Sequence, residues 1–146
     1  MPLTDSLVVV TQYLFDKFNV QSVKDQFGLT DVFYGDQSLI PRSPAMCIES
    51  GPKDRQLQGA MRRTQNNISV FLLLYHSEIR SPQSNRKDAD TLAEAIELFV
   101  HQDKTLGGLV THCYCTQVVP SYVTKSDQPM RAARIVVEAT TTTNLP

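Results

Sequence analysis

Cys113-x-Cys115, with His112 beside it and Cys47 and His76 elsewhere, is the one cluster of metal-ligand residue types in the chain. On a strand, side chains two apart share a face, so both thiols point one way and a tetrahedral zinc needs two further ligands from other elements. A zinc ribbon separates its paired cysteines by two or more residues, so the spacing favours buried, inert thiols over a metal centre. A thiolate nucleophile needs His76, His101 or His112 as its base, and no local signature marks any of these cysteines for that role. Asp88, Asp90 and Glu94 resemble an acid and base set. With Arg86 and Lys87 alongside, they read more simply as solvated charges at the N-terminal end of a helix whose other end carries Lys104. Gly107-Gly108 follows that helix, whereas a phosphate-cradling loop precedes one. The expectation is a protein that is not an enzyme and holds neither metal nor cofactor.

Lys53, Arg55, Arg62 and Arg63 form the one basic concentration, interleaved with glutamine and asparagine and lacking aromatics on which bases could stack. It reads either as a solvated hairpin or as an arm that meets acidic surfaces of neighbouring subunits, a use that suits the planar, bidentate guanidinium. The net charge of −1 creates no overall field for an anionic partner. A nucleic-acid module built on the basic hairpin is accordingly the weaker reading.

The elements that must carry these residues follow from periodicity. Leu7, Val10, Leu14, Phe15 and Phe18 have helical spacing behind the caps Thr4 and Asp5, which predicts a helix over about Asp5 to Phe18. A helical turn over Ser22 to Phe27 and a brief strand over Asp31 to Tyr34 follow. Pro41, Pro44 and Pro52 bracket Ala45 to Ser50, which predicts a short, edge-like strand. Lys53 to Asn67 predicts a long projecting hairpin or exposed strand pair. Ile68 to His76 is apolar on both parities and reads as a central strand that must be covered on both faces. Ala89, Leu92, Ala93, Ile96, Phe99 and Val100 mark a second amphipathic helix after the loop EIRSPQSNRK. Leu109 to Val119 and Met130 to Thr140 then pair as an antiparallel hairpin around a loop containing Pro120 and Pro129. The fold class expected is α+β, a mostly antiparallel sheet with helices packed on one face, in a single domain over 1–146 with a flexible tail from about 141.

A chain of 146 residues, 41% hydrophobic and 20% charged, is long enough to bury a core without disulfides. Three cysteines are too few and odd in number for a disulfide framework, which points to a reducing compartment. The N-terminus lacks a basic signal-peptide region, and the run Val70 to Tyr75 is far too short to span a bilayer, so no membrane partner is expected.

The segments CIESGPKDRQLQGAMRRTQNNISVFLLLYH, DADTLAEAIELFVHQDKTLGGLV, THCYCTQVVPSY and RAARIVVEAT cover roughly Ala45 to Thr140, and their order and wording resemble the tail terminator (tail completion) proteins of tailed bacteriophages. The helix followed by D-x-T-L-G-G-L and a closing hairpin is the most telling part. What the resemblance implies is a structural virion protein, assembled in the host cytoplasm. Such a protein forms a homo-oligomeric ring, usually six-fold, on the head-proximal end of the tail tube. It ends tube growth, meets the neck or head-tail connector (stopper) protein, and lets genome DNA pass its lumen without sequence-specific binding. Under that reading we expect Lys53, Arg55, Gln58, Arg62, Arg63, Gln65, Arg80, Arg131 and Arg134 at subunit or tube interfaces. Another neck component, such as a head-completion or stopper subunit, is the nearest alternative, and a small hydrolase using a cysteine or a metal is the remaining one.

Overall fold

The structure is a computed structural model that describes residues 3–58, 63–77, 82–125 and 128–144, with backbone alone at 58, 77, 82–86, 128, 143 and 144. Its elements run α1 (Leu7–Phe18), α2 (Gln21–Phe27), β1 (Asp31–Tyr34), β2 (Ala45–Gln58), β3 (Arg63–Ser77), α3 (Pro82–His101), β4 (His112–Lys125) and β5 (Gln128–Asn144). The strands form a five-stranded sheet in the order β1-β2-β3-β5-β4. Only the β1–β2 pair is parallel among them. This is the α+β architecture expected, with β3 at the centre.

Ser6 caps α1 by accepting a 3.3 Å hydrogen bond from the Val9 N–H, one residue later than the expected cap. Apolar positions at helical spacing then put Val10, Leu14 and Phe18 of α1 and Ala93, Ile96 and Val100 of α3 into one cluster with Ile48, Leu72 and Ile135 of the sheet. Fully burying each such side chain contributes roughly 1.5–3 kcal/mol, so this face supplies most of what holds the fold together. At the end of α3, the TLGG segment turns with Leu106, Gly107 and Gly108 at φ of 49°, 66° and 91°. A Cβ on Gly107 would lie 3.0 Å from the Tyr13 hydroxyl, so glycine is needed there for contact as well as for φ. Asp103 gathers this corner: it accepts from Tyr13 Oη at 2.6 Å, Lys17 Nζ at 3.2 Å and the Gly107 N–H at 3.0 Å. The Gly107-Gly108 pair is thus a structural turn at the corner where α1 meets the end of α3.

Several expectations are corrected. Ala45 to Ser50 is not an edge: β2 pairs with β1 on one side and β3 on the other, and Pro52 is accommodated at a register shift between Ser50 and Lys53. α3 begins at Pro82, where a proline without an N–H costs nothing at the first helical position, so Asp88, Asp90 and Glu94 lie beyond the first turn and do not serve its dipole. Pro120 lies inside β4 and not in a loop, because β4 is an edge strand that can spare a donor. The tail expected to be loose from about 141 continues β5 instead, with Thr141–Asn144 paired to Asn66–Arg63; threonine's β-branched side chain suits it to a strand.

Candidate functional site

The sheet has two faces of different character. Strand alternation turns Ile68, Val70, Leu72 and Leu74 to the helices, all at most 1% exposed. The opposite parity, Phe71 and Leu73, is only half-buried. Phe71 and Leu73 line a cavity of about 390 Å³ on the helix-free face together with Glu49, Tyr75, Val119, Ser121, Val123 and Arg134. Gly51 makes room for Phe71, whose ring would stand 3.0 Å from a Cβ there, and the Arg134 guanidinium lies 5.2 Å from the Phe71 ring centre.

One end of this trough is closed by the segment between β1 and β2. Ile40 packs there on Ala45, Cys47, Tyr75, Met130 and Ala132. Asp36 accepts a 2.6 Å bond from the Tyr75 hydroxyl and 3.2 Å bonds from Lys125 Nζ. Lys125 also donates to the Gln37 carbonyl at 2.8 Å, so this polar knot pins the segment down. Burial, then the Asp36 carboxylate, pushes the Tyr75 hydroxyl far above its ordinary value, which keeps it a hydrogen-bond donor and not a base. Burial likewise raises the Cys47 thiol to about 11.

The other chemistry-bearing residues are dispersed. Cys113 and Cys115 point together into the main core, as two-residue alternation requires, and burial raises them to about 11 and about 12. Thiols held there are poor nucleophiles at neutral pH. His101 Nε2 accepts the Cys115 backbone N–H at 2.9 Å, while His112 stacks on Tyr114 at 6.0 Å. Neither contact is made with a thiol. No group of three or more His, Cys, Asp or Glu residues placed to hold a metal occurs among the described residues.

The structure divides the nine expected interface residues. Arg62 and Arg80 lie outside the described residues, as does the Gln58 side chain. Arg55, Arg63 and Gln65 come together on an extension in which Arg55–Gln58, Arg63–Asn66 and Thr141–Asn144 run side by side, and Lys53, paired with Ile68 and so level with Cys113 of β4, lies just short of it. β4 ends at the His112–Thr140 pair, so these three strands continue four residues past it, about 13 Å at ordinary strand rise. The turn of the expected hairpin, 59–62, lies outside the described residues; what is described gains a third strand from β5. On it Arg63 is exposed, Gln65 is half-buried and Arg55 is ion-paired to Asp5 at 2.8 Å, while Lys53 before it is half-buried. Arg134 belongs to the trough. Arg131, three residues earlier and so on the other face, sits over the Tyr122 ring at 5.0 Å near α3.

The apolar floor of the trough was not among the expected site residues, although the two-parity pattern of Ile68 to His76 was its signal. The two outermost strands are poor templates for strand addition. β1 has four residues, and β4 carries a register shift after Cys115 and Pro120 within it. No protein-family model matches the chain, and none of the curated proteins matches it.

Proposed function

We propose that the chain is a structural virion subunit that acts by assembly and not by catalysis. Copies of it form a ring, six-fold by the resemblance, that caps the head-proximal end of a phage tail tube, ends tube growth and joins the tail to the neck. The observation that carries this reading is the three-stranded extension of β2, β3 and β5 past β4, with Arg63 and Gln65 on it. One side of it is buried at home through Thr64, Asn66 and Thr141, while Gln56, Leu57 and Arg63 stay exposed and offer surface that a neighbouring subunit can cover. The trough of Phe71, Leu73, Val119 and Val123 supports the same conclusion, since an apolar sheet face left half-covered is a surface for protein contact. The high-lying thiols supply no ready nucleophile that would favour a hydrolase.

The test is to add the purified chain to tail tube protein during polymerisation and to measure tube lengths. A terminator arrests growth at substoichiometric ratios and shortens the tubes. Unchanged lengths, with binding instead to isolated capsid necks, would move the assignment to a head-completion or stopper role.

A further inference from the structure

Two inner strands of the sheet become its edges on the extension. β1 ends beside Ile48 and β4 ends beside Thr140, whereas β2 runs on to Gln58 and β5 to Asn144. Which backbone groups face outward there follows from the ladder. The Gly35 N–H donates to the Ile48 carbonyl on the β1 side, so the backbone groups of Ile48 and its β3 partner Leu72 turn away from each other. Alternation along β3 repeats that arrangement at Val70, Ile68, Asn66 and Thr64. Arg55 and Leu57, the partners of the last two, therefore turn their N–H and C=O outward. On the opposite side the Thr140 carbonyl accepts from the Thr111 N–H, and the same alternation turns Thr142 and Asn144 outward past the end of β4. Among the described residues no strand pairs beside either stretch.

These edges lack the guards that protect β1 and β4. Arg55–Gln58 and Thr141–Asn144 contain no proline and no register shift, and their one charge, Arg55, is neutralised by Asp5. The two stretches are equal in length, since both are laddered to the same Arg63–Asn66, and both run opposite to β3, so they share one direction. A pair of like edges would cover β2 and leave β5 open, or the reverse. Only a contact between the unlike edges covers both and repeats from copy to copy.

We propose that the β5 edge of one copy pairs in parallel with the β2 edge of the next, joining the two extensions into one sheet. Thr142 lies beside Gln56 of the neighbouring copy, its N–H donating to the Arg55 carbonyl and its carbonyl accepting from the Leu57 N–H. Lateral neighbours in a sheet share a face, and Thr142 and Gln56 meet that condition: each is level with Gln65 within one copy, and both are exposed. The contact joins two different patches of the same chain, which is the head-to-tail geometry that closes a ring. This rests on the assembly reading above and adds to it the backbone edges that meet.

Sedimentation of the purified full chain tests it, with circular dichroism to verify folding. Leu57→Pro and Thr142→Pro each delete an outward N–H and spare the ladder to β3, so both should fold and weaken self-association by roughly tenfold or more. Leu57→Gln and Thr142→Val keep the N–H, and should associate within roughly twofold of the wild type. A second route does not depend on the proline variants folding. Lateral neighbours stand about 4.8 Å apart, within disulfide reach, so an oxidised mixture of Gln56→Cys and Thr142→Cys chains should form a bond between copies that neither variant forms alone. Self-association that survives both prolines, or a disulfide formed by Gln56→Cys alone, would overturn this pairing and leave the assembly reading standing. Edges that pair only with tail tube protein, with no disulfide between copies, would overturn it too. A wild-type chain that stays monomeric both alone and on tail tubes would overturn both.

Discussion

The two faces of β3 make opposite demands on the rest of the molecule. Leu72 and Leu74 are sealed beneath α1 and α3, while Phe71 and Leu73, one residue away on the same strand, are covered only near Tyr75, where Asp36 and Lys125 tie down the segment after β1. A strand apolar on both parities needs cover on both sides, and this chain provides one complete cover and part of a second. One face therefore supplies the larger core, and the other keeps a half-covered apolar trough beside a smaller one.

Substitutions should separate the two faces by size and kind of effect. Leu72→Ala leaves a cavity in the sealed face and should cost about 2–5 kcal/mol in chemical denaturation. A cost below about 1 kcal/mol would mean that the helices are not packed as described. Asp103→Asn, at the corner that binds α1 to α3, should cost about 1–3 kcal/mol, because it weakens charge-assisted bonds to Tyr13 and Lys17.

The same corner gives a pH dependence. Burial alone would raise the Asp103 carboxyl, but the bonds from Tyr13, the Gly107 N–H and Lys17 outweigh it, and the group is held below its ordinary value. A carboxyl whose folded pKa lies below its unfolded one contributes its full stabilisation above the ordinary carboxylate range and loses it as pH falls through the lower folded value. Melting temperature should therefore drop on acidification from neutral pH, and less steeply in Asp103→Asn. Equal slopes in the two proteins would remove Asp103 from that account.

The smallest effect on folding is expected in the trough. Val119→Asp, half-buried on the helix-free face of an edge strand, should alter unfolding free energy by about 1 kcal/mol or less while impairing self-association measured by light scattering. A loss of stability comparable to Leu72→Ala would show that both faces belong to one core.

Much of this was legible in the sequence because it rests on local periodicity. Leu7 to Phe18 and Ala89 to Val100 have the helical spacing that built α1 and α3, and the two-parity run Ile68 to His76 announced the central strand. What escaped depended on pairing partners. The threonines 141–143 carry no alternating apolar signal, and they become strand only because Thr64–Asn66 offers them a ladder. Pro120 reads as a loop breaker until β4 is known to be an edge. Ala45 to Ser50, bracketed by prolines, looks like an edge until β1 adds to it in parallel. Of the site, the basic residues of the extension were visible as a charge cluster. Their alignment beside the Thr141–Asn144 strand, and the opposite facing of Arg131 and Arg134, required the sheet register.

The most direct test of the central claim is negative-stain imaging of tail tubes mixed with the purified chain. The account predicts ring-shaped density on one end of each tube and rings of the same diameter in the free protein at high concentration. Tubes bare at both ends, beside a chain that remains monomeric, would contradict it.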